Sequence, residues 1–174
     1  MVSTRLIFLV AAVTILEAIG DECKQGNWNF CFLIENAHEM NEHYHNLMVG
    51  ALDGNGKKAL ALADKLVVEV LNAEEQKLIP ALKKALQAQL SAFVQVKADC
   101  FTVDDSFNET CGDIIFDVAF VAWELIVAIT EVHPDSQKKA KVNEILPGID
   151  EYTRGKPGFE NKIHALGKEV LAAI

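Results

Sequence analysis

Residues 36–46, NAHEMNEHYHN, hold three of the chain's five histidines with two glutamates among them. Imidazole and carboxylate at such short spacing are the donor types of zinc and iron sites. On a helix, His38, Glu42 and His45 stand at i, i+4 and i+7, which places all three on one stripe. Glu35-x-x-His38 and Glu42-x-x-His45 also repeat the spacing of carboxylate-bridged di-iron bundles, whose ligands project into the bundle interior. The helical wheel decides between these readings. Leu33, Ala37, Met40, Tyr44 and Ala51 gather on one side, and Glu35, His38, Glu39, Glu42, His45 and Asn46 on the other. The donor set points away from the face such a helix buries. The stretch therefore reads as the wet side of an amphipathic helix, and no metal is expected at His38, Glu42 and His45.

Other reactive patterns fail on their own chemistry. GALDGNGKKAL resembles a phosphate loop, but the first required glycine is Ala51, Lys58 stands where Ser or Thr should bind magnesium, and a helix precedes it instead of a strand. Asp53 and Asn55 begin a calcium-loop pattern that Lys57 interrupts at the next ligand position. Ser91, Ser106 and Ser136 lie in no nucleophile elbow. The four cysteines are expected as disulfides, which leaves no thiolate for catalysis. No enzyme activity and no cofactor are expected.

The segment IIFDVAFVAWELIVAITEV, residues 114–132, is the most apolar stretch after the first twenty residues. Asp113, Asp117, Glu124 and Glu131 fall in one narrow wedge of it. Two carboxylates inside the run, Asp117 and Glu124, would each cost about 2.5–3.5 kcal/mol near a bilayer centre, so no membrane span is expected. A core face of Ile115, Val118, Ala119, Ala122, Leu125, Ile126 and Ile129 is accompanied by a second stripe, Phe116, Phe120, Trp123 and Val127. A bundle helix needs only one apolar face. The second is either covered by a neighbouring helix, or lines an apolar ligand cavity, or is a self-association surface.

The elements that must position these residues are helical throughout. The first helix is expected from about residue 29 to 51, stopped by LDGNG at 52–56, where an Asn-Gly pair favours a turn. Leu60, Ala63, Leu66, Val67, Val70 and Leu71 mark a second helix. Asn72-Ala73-Glu74-Glu75 resembles a helix cap, and Pro80 places a break or kink between 72 and 80. Leu82, Leu86, Leu90 and Phe93 carry a third helix to about Lys97. Residues 99–112 read as a loop, with Asp113 capping the apolar helix. Asp135 or Ser136 caps a short helix to Leu146, and Phe159, Ile163, Leu166 and Val170 mark the last. The expectation is an all-α, single-domain, disulfide-stapled bundle of about six helices.

Residues 1–20, MVSTRLIFLVAAVTILEAIG, have a basic start, an eleven-residue apolar run and small residues at the end. This is the order of a secretory signal peptide, with cleavage expected before Asp21 and a helical domain over 21–174. The formal net charge of −9 disfavours nucleic acid and anionic membrane surfaces as partners. Cys23, Cys31, Cys100 and Cys111, and the sequon at Asn108, fit an extracellular glycoprotein.

Up-down topology favours local bridges, Cys23–Cys31 and Cys100–Cys111. A helix of about 24 residues spans about 36 Å, whereas bridged α-carbons lie within about 7 Å. Were Pro80 merely to kink one helix over 57–97, the 99–112 loop would return towards Cys31 and the pairing could differ. Function is expected from an extracellular carrier of a small apolar ligand, fatty acid or sterol-like. The alternative is a secreted effector or structural protein acting through its surface, possibly as a homodimer.

Overall fold

The computed structural model describes residues 26–47, 54–101, 109–145 and 158–174. Within them the chain forms six helices and no strand. These are α1 (Trp28–Leu47), α2 (Asn55–Leu71), α3 (Glu75–Phe101), α4 (Glu109–Val132), α5 (Ser136–Ile145) and α6 (Phe159–Ala173). The expected leader, Cys23 and Asn108 lie outside the described residues. No helix among the described residues is long and apolar enough to cross a membrane.

Cross-helix contacts define the topology. Asn36 and Tyr44 of α1 meet Glu124 and Asp117 of α4 respectively, so these two helices run antiparallel. His38 of α1 reaches Asp64 of α2, and Gly56 of α2 reaches Asp99 of α3. The Cys100–Cys111 disulfide joins the end of α3 to the first turn of α4. Helices α1 to α4 form an up-down-up-down bundle in which each packs on the next and α4 closes on α1. Helix α6 lies along α3 and α4, with Lys97 opposite Asn161 and Phe93 opposite His164. Helix α5 packs on α6 and the end of α4.

Apolar periodicity explains the buried faces. In α2, Leu60, Ala63, Val67 and Val70 are buried, and in α6 Phe159, Ile163, Leu166 and Val170 are. Asp135 accepts from the Gln137 and Lys138 backbone N–H groups, capping α5 as its position before the apolar residues suggested.

The break expected between 72 and 80 falls at 72–74, and two other boundaries differ from expectation. Helix α3 begins at Glu75 with Pro80 already inside it. Proline forfeits only the bond to the Gln76 carbonyl, close to the exposed start of the helix, where the loss is small. Asn72 does not open α3. Its side chain donates back to the Val68 carbonyl at 3.1 Å and so closes α2, while Glu74 pairs with Lys77 at 2.8 Å. Helix α3 continues to Phe101 and α4 starts at Glu109, so Asp113 is an exposed residue inside α4, not its cap. The disulfide ties those two ends together and shortens the expected loop from both sides. Because α2 ends at Leu71 and α3 starts anew, the single long kinked helix over 57–97 does not form.

Candidate functional site

The α1–α4 seam carries polar chemistry that the wheel did not place. The buried face of α1 is Phe30, Ile34, Ala37 and Asn41, with Leu33, Met40 and Tyr44 half-buried beside it. That face is turned slightly from the one drawn through Leu33, Ala37, Met40 and Tyr44. The rotation brings asparagines inward.

Asn41 and Gln89 are fully buried and exchange two hydrogen bonds at 3.1 Å each. Gln89 Nε2 also donates to the Val118 carbonyl at 3.0 Å, so one amide pair joins α1, α3 and α4. Tyr44 donates to Asp117, and Asn36 Nδ2 donates to Glu124 Oε1. Buried polar groups are tolerated when paired in this way.

Glu124 is the exception. It is 4% exposed, and its Oε2 has no hydrogen-bond partner among the described residues. Burial pushes its carboxyl up from 4.5 to about 7, against a smaller lowering by the Asn36 hydrogen bond. No lysine or arginine occurs in α1 or α4 to hold the charge.

The second stripe of α4 lies next to this carboxyl. Phe120 and Val127 flank Glu124 at one turn in either direction, on its α6 side. Phe116, Phe120, Trp123 and Val127 are all half-buried, in contrast to the buried Val118, Ala122, Leu125 and Ile129. At the foot of the stripe the Phe116 ring stacks on Phe159 of α6, with centroids 4.8 Å apart. Thus α6 covers part of the second face. The stripe lies between the direction of α1, marked by Asp117 and Glu124, and that of α6, marked by Phe116. Helices α1 and α6 do not pack extensively on one another.

The histidine cluster is divided among different surroundings. His38 Nδ1 lies 2.7 Å from Asp64 Oδ1, both half-buried, and so ties α1 to α2 instead of facing only water. Glu42 and His43 are exposed, and the His45 side chain is outside the described residues. No group of three potential metal ligands occurs among the described residues. Cys31 is disulfide-bonded, its expected partner Cys23 being outside those residues. A separate open depression of about 370 Å³ at the α2–α3 turn, between Glu69, Glu74, Lys77 and Lys84, is rimmed by solvated charge and is remote from the stripe.

Sequence reasoning singled out Asp117, Glu124 and the stripe, but missed Asn36, Asn41 and Gln89. The available signal was Asn41 at the spacing of Ile34 and Ala37, and Gln89 at the spacing of Leu82, Ala85 and Leu86. The chain matches no protein-family model, no curated protein and no solved structure.

Proposed function

We propose that this protein is a secreted, non-enzymatic carrier of a small apolar ligand, held over Phe116, Phe120, Trp123 and Val127. The observation that supports the reading is the half-buried second apolar stripe of α4, which lies beside the fully buried core face of the same helix. Apolar sites with one or two placed polar groups are how proteins hold small molecules, and Glu124 stands at the edge of this one. Glycosylation at Asn108 and removal of residues 1–20 belong to the same reading.

Trp123 provides the assay. In a Trp28→Phe background it is the remaining tryptophan, so its emission should respond to titration with an apolar probe such as 1-aminoanthracene. Phe120→Ala should weaken binding. Its stability cost should fall below the roughly 3–5 kcal/mol of a fully enclosed phenylalanine, because the ring is only half-buried. An unchanged spectrum across such probes, together with native mass spectra free of lipid-sized adducts, would reject the carrier.

One observation favours the alternative, action through the surface. Trp28 and Phe32 are 51% and 45% exposed and stack on each other at 5.6 Å, an apolar pair facing outward from the start of α1. Sedimentation would separate the two readings. A concentration-dependent dimer lost in Trp28→Ser, without ligand binding, would favour a surface-acting homodimer.

A further inference from the structure

We infer that the α1–α4 seam is a proton-controlled closure, shut while Glu124 keeps its carboxyl proton and loosened at α1 when that proton is lost. The device needs no bound ligand, so it stands or falls apart from the carrier reading.

The geometry of the seam carries it. Two carboxyls of α4, Asp117 and Glu124, stand one heptad apart on one wedge, and both meet α1. Helix α1 answers them with neutral donors, Tyr44 and Asn36. Asp117 has interactions beyond the Tyr44 hydrogen bond, whereas Oε2 of Glu124 is enclosed without a partner among the described residues. An enclosed neutral carboxyl costs far less than an enclosed carboxylate with one oxygen unsolvated. Water reaches that oxygen once a covering helix moves.

Helix α1 is the cover held least. Helix α4 packs on α1, α3 and α6, and its first turn is fixed to α3 by Cys100–Cys111. Helix α1 packs extensively on α2 and α4, and meets α3 through the Asn41–Gln89 amide pair.

Charged groups stand around Glu124 on several helices. On α1, Glu35 is half-buried beside Asn36 and has an interaction of its own, while His38 is held by Asp64 of α2. The buried face of α3 carries no ionisable side chain apart from the bridged Cys100. On α6, Glu160 and Lys162 are half-buried, Lys162 with its own interaction, and His164 lies against the Phe93 ring. Lys139 of α5 and Glu131 of α4 are half-buried. No charge among the described residues moves the Glu124 titration: burial raises the carboxyl to about 7, and Asn36 offsets part of the rise.

Because burial is the cause, admitting water returns Glu124 towards the ordinary 4.5, and its proton passes to solvent. The closed seam thus holds one proton that the open seam releases. Closure is favoured fully below about 4.5 and loses that advantage as pH rises to about 7.

Hydrogen exchange read by mass spectrometry tests this on the disulfide-intact chain at pH 6 and pH 8, with labelling times scaled to intrinsic rates. After scaling, α1 amides should exchange about tenfold faster at pH 8, while those of α3 and α6 keep their protection. Glu124→Gln should remove the α1 response. Asn36→Leu deletes the interaction that lowers the carboxyl, so it should carry the midpoint of the response to higher pH, which loss of packing alone would not do. His38→Gln should leave the response in place, a needed control because histidines as a class change charge near neutrality. Unchanged α1 protection in the parent, or a response that survives Glu124→Gln or vanishes in His38→Gln, would overturn the inference. So would a rise shared equally by all helices, which would make Glu124 a global destabiliser without local opening. Should Glu124→Gln fail to fold, an unmoved midpoint in Asn36→Leu would overturn it equally.

Discussion

Glu124 sets the strongest expectation at the scale of a single residue. Unfolded, a glutamate titrates near 4.5, whereas in the folded chain burial raises Glu124 to about 7. Between these values the folded state holds a proton that the unfolded state has released. Stability from this group is therefore fully present below about 4.5 and is lost as pH rises to about 7. The span corresponds to about 3 kcal/mol. Glu124→Gln abolishes the titration, so the stability difference between variant and parent should move in the variant's favour by about 3 kcal/mol from pH 4 to pH 8. Urea denaturation at the two pH values measures it, and a constant difference would show that Glu124 is not desolvated. The expected solvated face of α1 was correct for Glu39 and Glu42, which are exposed, and incomplete for His38, which Asp64 holds. A wheel drawn for one helix does not contain the carboxylate of the next.

Close helix approach governs the elements. A Cβ on Gly56 would stand 2.9 Å from the Val96 Cα, a backbone atom that moves only if α2 and α3 separate. The Gly56 N–H also donates to Asp99 at 2.6 Å, satisfying one of the donors that a helix start leaves free. At Gly167 a Cβ would meet the Leu90 side chain at 2.8 Å, which can change rotamer. Alanine gains about 1 kcal/mol of helix propensity over glycine in a helix interior. That gain should roughly offset the Leu90 clash but not the backbone clash. Gly56→Ala should therefore cost about 1–3 kcal/mol, with Gly167→Ala close to neutral, as thermal denaturation would show. Of this contact the sequence displayed only LDGNG, read as a turn. That glycine also serves packing depends on Val96, forty residues away.

At the scale of the whole molecule, the four-helix square with α6 laid on α3 and α4 leaves the aromatic stripe half-buried, and the carrier reading depends on that incomplete cover. Expression through a secretory pathway should yield a mature chain starting at Asp21, with Asn108 bearing a glycan that an endoglycosidase removes. Intact mass before and after the enzyme checks both, and a chain retaining residues 1–20 would contradict the secreted reading. The stripe lies wholly within α4, so bacterial protein refolded with its disulfides should bind the same probes.

The helical segments, the break between α2 and α3 and the local Cys100–Cys111 bridge were legible in the amino-acid sequence alone, whereas the ends of α3 and α4 around that bridge were not. Periodicity of apolar residues is a property of neighbouring positions, and the bridge follows from chain length between two antiparallel ends. The same local pattern marked Phe116, Phe120, Trp123 and Val127 as an extra apolar face. Tertiary structure alone decided that Asn41 and Gln89 satisfy each other, that Asn36 meets Glu124 and that Tyr44 meets Asp117. Those partners lie 48, 88 and 73 residues apart, and their pairing depends on the rotation of α1 against α3 and α4. A small turn of that helix about its axis would carry its asparagines towards water and leave Glu124 with both oxygens unmatched.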